Sequence, residues 1–97
     1  MAFVQIIEFR TASIDAMQQV ADRWEEATAR KRTAGRRILC RDRNDTSRYF
    51  NVVFFDSYES AMQNSNLPET QRFSAEMMSL ADGPPTFYDL DIIDDRS

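Results

Sequence analysis

Four side chains stand out as able to do chemistry in this 97-residue chain: Asn51, Asp89, Arg37 and Tyr88. What the sequence lacks narrows that chemistry. There is no histidine, so the residue best suited to proton transfer near neutral pH, and the commonest metal ligand, is missing. Histidine-ligated haem, zinc catalysis and a Ser–His–Asp triad are therefore disfavoured, and the reading calls for no metal and no cofactor. Cys40 is the single cysteine; it has no imidazole to activate it and no second thiol to pair with. Within Arg37–Arg41 it reads as a small buried strand residue, and its isolation fits a reducing, cytoplasmic setting. Proton transfer then falls to a carboxylate, Asp89 or Asp91, with an arginine, Arg37 or Arg41, holding a developing oxyanion.

A second set of candidates is apolar. Trp24, Tyr88, Phe54 and Met77 form an aromatic wall if a helix is laid on a sheet, and small-molecule pockets use such walls with a few polar tips. The same residues at amphipathic spacing also describe an ordinary packed core. Gln5, Tyr49 and Asn51, with Arg37, Arg41, Asp89 and Asp91, fall instead to a second possible site, the space between two sheets, where they line a wet cavity for substrate or pair across subunits.

The elements that must position these residues follow from periodicity. Phe3–Phe9 is short, β-branched and aromatic, which predicts a strand. Ser13 offers an N-cap, and Ile14, Met17, Val20, Ala21, Trp24 and Ala27 recur at three- and four-residue spacing, predicting an amphipathic helix that runs to about Lys31 and stops at Gly35. Arg36–Arg41 is a second strand, Asp42–Ser47 a polar hairpin turn and Tyr49–Phe55 a third strand. A short helix from Ser57 to Asn64 precedes a longer one from Glu69 to Leu80, with Pro68 at its first turn. Asp82–Pro85 breaks the helix, and Thr86–Ile93 alternates as the last strand.

Composition adds its own limits. With 42% apolar and 29% charged residues the chain describes one globular domain spanning 1–97. A net charge of −4 gives no general attraction to nucleic acid or anionic lipid. Arginines do cluster between Arg30 and Arg48, but a solvated or partner-facing edge explains them better than a nucleic-acid site does. The opening residues lack a basic n-region and reach Glu8 early, so neither a signal peptide nor a membrane span is expected.

The order β-α-β-β-α-β predicts an α+β, ferredoxin-like domain: a four-stranded antiparallel sheet with helices on one face, strands one and three central. Alternation separates the faces. The more uniformly apolar parity, Val4, Ile6, Ile38, Cys40, Phe50, Val52, Phe54, Tyr88 and Leu90, is expected to meet the helices. The other, with Phe3, Gln5, Ile7, Arg37, Tyr49, Asn51, Val53, Phe55 and Asp89, is still too apolar for water, so a second copy is expected to cover it. Arg37 or Arg41 against Asp89 or Asp91 across that dimer is the structural alternative to a substrate site.

Phe3–Phe9, the strand-to-helix junction Tyr49–Ala61, and the order short helix, Pro68, long helix resemble the dimeric α+β barrel superfamily, especially its antibiotic biosynthesis monooxygenase-like members. The resemblance implies two sheets pressed face to face in a homodimer. It also implies a small aromatic or polyketide-like ligand and a cofactor-independent monooxygenase, isomerase or cyclase, with Asn51, Trp24 and Tyr88 as residues of the right kind. A non-catalytic binding or assembly module of the same fold is the alternative.

Overall fold

The computed structural model describes residues Met1–Ser97. Its elements are β1 (Phe3–Arg10), α1 (Ile14–Ala27), β2 (Arg37–Arg41), β3 (Arg48–Phe55), α2 (Tyr58–Ser65), α3 (Pro68–Leu80) and β4 (Thr86–Asp91). They form one antiparallel sheet in the order β2-β3-β1-β4. The two most apolar strands are thus central and the charged ones lie at the edges, which blunts uncontrolled strand addition.

Local chemistry sets the boundaries. The β2–β3 hairpin is built from side chains that mimic backbone: the Asn44 N–H donates to Asp42 Oδ1 at 2.8 Å and the Ser47 N–H to Asp45 Oδ1 at 3.2 Å. Ser57 Oγ accepts the Ser60 N–H at 3.1 Å and caps α2. Pro68 occupies the first turn of α3, where its missing N–H costs nothing. At the N-cap of α1 the Ser13 side chain makes no capping bond; Thr11 Oγ1 instead accepts the Ser13 N–H and donates to the Leu80 carbonyl, tying the start of α1 to the end of α3.

α1 ends at Ala27, well before Gly35. The buried Thr28 folds its hydroxyl back onto the Trp24 carbonyl, 2.6 Å, and the chain turns there. Gly35 serves another purpose: a Cβ would come within 3.2 Å of the Phe54 carbonyl oxygen, which accepts the Gly35 N–H. Gly83, at φ +93°, makes the turn into β4.

The helices lie on the face opposite to the one expected. Phe3, Tyr49, Val53 and Phe55 are buried, whereas Tyr88 and Leu90 remain 41% and 44% exposed and Cys40 is exposed. The core is therefore Phe3, Val53 and Phe55 against Ala61 of α2, with Met17, Val20 and Ala21 of α1 also buried. Uniform apolarity is a poor guide to the helix-covered face here, because that face also carries the polar residues of a cavity, and the face with the longer apolar run, which bears Glu8 and Arg48 at one end, is left open. No helix is long and apolar enough to cross a membrane.

Phe55→Ala removes an aromatic ring from the centre of the helix-covered layer. It is expected to cost about 3–5 kcal/mol, read as a lowered denaturation midpoint at unchanged m-value. A loss below about 1 kcal/mol would place the core elsewhere.

Candidate active site between helices and sheet

The strand register lays the cavity-side residues out in rows across the sheet. One row is Arg37, Val53, Gln5 and Asp89; the next is Leu39, Asn51, Ile7 and Phe87. Apart from Asp89 at the β4 end, these rows floor a cavity of about 650 Å³ roofed by α1 and α3. Of its 29 lining residues 16 are apolar, which suits a flat hydrophobic ligand held by few polar groups.

The roof is braced at Trp24, whose indole N–H donates to Thr70 Oγ1 of α3 at 2.9 Å. That donor is spent on structure, so Trp24 offers the cavity a ring and not a hydrogen bond. The Arg32 guanidinium lies 5.8 Å from the Trp24 ring and donates to the Glu25 carbonyl. No residue of α3 is fully buried, as expected of a helix standing over open space.

Gln5 and Asn51 supply the polar chemistry of the floor. Gln5 Nε2 donates to Asp89 Oδ1 at 3.1 Å, which commits the amide nitrogen and leaves Oε1 as the acceptor. Asn51 lines the cavity, and its Oδ1 is buried without a hydrogen-bond partner. Such an orphan costs about 1–3 kcal/mol and calls for an explanation. Arg37, at the β2 end of the floor, pairs with no acid in the chain.

Of the residues singled out in the sequence, the cavity brings together Trp24, Met77, Gln5, Asn51 and Arg37. Phe54 and Tyr88 are not with them: both sit on the opposite, open face, as the alternation of β3 and β4 requires once Val53, Phe55 and Phe87 face the helices. Tyr49 shares the cavity side but is a core residue, buried and stacked on Phe9 with ring centroids 5.6 Å apart. Asp89 is exposed and holds Gln5 from outside the cavity, and Asp91 is exposed at the end of β4. Neither is placed to act as a base within it. Asn64 of α2 went unforeseen: it is 7% exposed, its Oδ1 has no partner, and it lines the cavity. Its three-residue spacing from the buried Ala61 was the available signal.

Tyr88 has a different role on the open face. Its hydroxyl donates to Glu8 Oε1 at 2.9 Å, Arg48 Nε donates to Glu8 Oε2 at 2.8 Å, and Arg48 Nη1 reaches Asp42 Oδ2 at 3.0 Å. The Arg48 bond, with that of Tyr88 next, holds the Glu8 carboxyl below its ordinary range, while Glu8 raises the Tyr88 phenol.

No protein-family model and no curated protein matches the sequence. Solved structures match over nearly the whole chain. A candidate antibiotic biosynthesis monooxygenase from Caulobacter crescentus CB15 superposes with a TM-score of 0.82 at 14% identity, covering 96% of this chain and 91% of that one. SnoaB, a cofactor-independent oxygenase from Streptomyces nogalater solved as an asparagine-to-alanine variant, gives 0.81 at 13% identity over 97% and 95%. Rv0793 from Mycobacterium tuberculosis gives 0.80 at 14% identity over the full length of both chains. The fold is that of the antibiotic biosynthesis monooxygenase-like structures. At these identities the likeness fixes the architecture of the monooxygenase-like fold and leaves the chemistry to the residues of the cavity.

Two outcomes follow from this geometry. Asn51→Leu removes an unmet acceptor and is expected to stabilise the empty protein by about 1 kcal/mol, which is about 4–8 °C in Tm for a domain of this size; a lowered Tm would show that the carboxamide is satisfied. The Glu8 carboxyl titrates below its ordinary value of 4.5, so its cluster stabilises the fold above that pH and stops doing so as the pH falls through the folded-state value. Tm should therefore drop less on acidification in Glu8→Gln than in the parent, and parallel curves would exclude a role for Glu8.

Proposed function

We propose that this protein binds a flat, hydroxyl-bearing aromatic or polyketide-like molecule in the helix–sheet cavity and oxygenates it without a metal or organic cofactor. The observation that carries the reading is the Asn51 carboxamide oxygen, buried without a hydrogen-bond partner on the floor of a cavity of about 650 Å³ whose lining is more apolar than polar. A ligand hydroxyl reaching it supplies the missing partner. Gln5 Oε1 offers a second acceptor, and Arg37 a positive charge at the end of the same floor for a phenolate or carbonyl oxygen. Trp24 and Phe73 supply the aromatic surface above.

Such a ligand brings its own reducing power. A phenol-activated ring carbon bearing two hydrogens reduces O₂ by two electron pairs: one oxygen atom becomes the new carbonyl and the other leaves with both hydrogens as water. The residues present would bind, orient and exclude solvent, with Arg37 favouring the electron-rich phenolate. The one carboxylate in the lining is Glu25 of α1, on the roof and not the floor, and it is the group in the cavity able to take the phenolic proton and pass it to solvent. The SnoaB fold, a cofactor-independent oxygenase, supports this class of chemistry.

The open face is proposed to meet a second copy. Val4, Ile6, Ile38, Phe50, Val52 and Leu90 make an apolar surface that a soluble monomer rarely leaves uncovered, and a two-fold homodimer is the commonest way to cover it. The exposed Cys40 thiol is consistent with a reducing cytoplasm.

Trp24 is the only tryptophan, so its fluorescence reports on the cavity. Titration with a hydroxyanthrone is expected to quench it saturably, and Asn51→Leu to weaken binding roughly tenfold, the worth of one good hydrogen bond. Oxygen consumption should accompany binding and yield the quinone. Absence of quenching by the folded protein would overturn the ligand class. Quenching without oxygen uptake would leave a binding protein and overturn the oxygenase.

A further inference from the structure

The cavity leaves polar atoms without partners on its wall as well as on its floor. Ala61 and Asn64 are the two buried residues of α2. Ala61 packs into the core of Phe3, Val53 and Phe55, and Asn64, three residues on, comes to the same face of the helix and lines the cavity. Asn64 is 7% exposed, and its Oδ1 meets no donor.

The helix itself has no use for this carboxamide. α2 is closed by backbone alone: the Asn66 N–H donates to the Met62 carbonyl at 3.0 Å and the Leu67 N–H to the Asn64 carbonyl at 3.3 Å, so the side chain is not a cap. Donors of the roof and of the loop beside α2 are committed elsewhere. The Trp24 indole N–H goes to Thr70 Oγ1, Arg32 Nη1 to the Glu25 carbonyl, and the Thr33 hydroxyl to the Ser60 carbonyl, one turn before Asn64. Asn51 and Asn64 do not relieve one another, since each Oδ1 is without a partner. An unpaired buried acceptor is a cost that an apolar side chain of similar size would avoid.

The free acceptors of the lining therefore lie on different elements: Asn51 Oδ1 and, in the neighbouring row of the floor, Gln5 Oε1, and then Asn64 Oδ1 on the α2 wall. One hydroxyl, with its single proton, answers one of them. Two hydroxyls held apart by a rigid ring system answer both the floor and the wall. A site built to hydrogen-bond a ligand hydroxyl also rejects the analogue lacking it, because its own buried group is then left unpaired.

We infer, resting on the ligand reading given above, that Asn64 is a specificity-determining residue that accepts a second hydroxyl of the ligand. The substrate class narrows to fused aromatic systems with phenolic hydroxyls at two separated positions, one received at Asn51 and the other at Asn64.

The probes that test this are 2-hydroxyanthraquinone and 2,6-dihydroxyanthraquinone, which share one skeleton and differ by a hydroxyl at the far end. Both are titrated in their neutral forms against Trp24 fluorescence. The parent is expected to bind the dihydroxy probe roughly tenfold more tightly, and Asn64→Leu to abolish that preference by weakening the dihydroxy probe alone. The preference of the parent is read without any variant, and circular dichroism checks that Asn64→Leu folds. Equal affinities in the parent, a preference that survives Asn64→Leu, or an equal loss for both probes would overturn the role of Asn64 and leave the ligand reading standing. Quenching by neither probe in the folded parent would overturn that reading and the role of Asn64 with it.

Discussion

A four-stranded sheet has two faces, and a chain of this length supplies one layer of helices. Both faces here are rich in large apolar side chains, so everything else depends on which face the helices take. They take the one bearing Phe3, Val53 and Phe55, whose burial against α2 closes the core. That choice consigns Ile6, Ile38, Val52 and Leu90 to the outside, where the hydrophobic effect keeps acting on them between molecules as it does within one.

The cavity follows from the same choice. Gln5, Asn51 and Arg37 alternate with Ile7 and Val53 on the helix-covered face, and an apolar helix pressed onto them would strand their polar atoms. The helices instead meet each other and the rim: Trp24 bonds to Thr70, and Thr11 to the Leu80 carbonyl, while the middle of the floor stays clear. The volume beneath α3 is thus what close packing leaves when polar side chains sit in a core face. Its unmet carboxamide oxygens at Asn51 and Asn64 are a cost to the empty fold that a bound hydroxyl would offset.

Element order, strand boundaries within a residue or two, and the central position of β1 and β3 were legible in the sequence, because apolar period and turn chemistry are local signals. Which parity faces inward was not. Both parities of β1 read as buried, Phe3, Ile7 and Phe9 on one side and Val4 and Ile6 on the other, and alternation cannot rank two apolar faces. That single inversion moved Phe54 and Tyr88 out of the site and turned Asn51 and Arg37 from interface residues into cavity residues. Trp24 and Met77 do line the cavity, because a helix has one apolar stripe, not two. Asn64 was hidden by its type: a carboxamide in a short helix looks like a surface residue until the helix is seen to lie on the sheet.

The polar cluster on the open face tells against reading that face as mere excess of apolar surface. Glu8 accepts from both Arg48 and Tyr88, Arg48 passes on to Asp42, and the guanidinium also lies 4.8 Å from the Phe50 ring. Every charge in the group already has a partner within the chain, so covering it would desolvate it without leaving an orphan. A cluster of this kind adds little affinity, yet it admits only those dockings that keep its bonds intact, whereas a bare apolar sheet would tolerate many registers. The two polar features of this small sheet are therefore opposite in design: the cluster at Glu8 is satisfied from within and suited to being covered by protein, and the carboxamide at Asn51 is unsatisfied and suited to being met by a ligand.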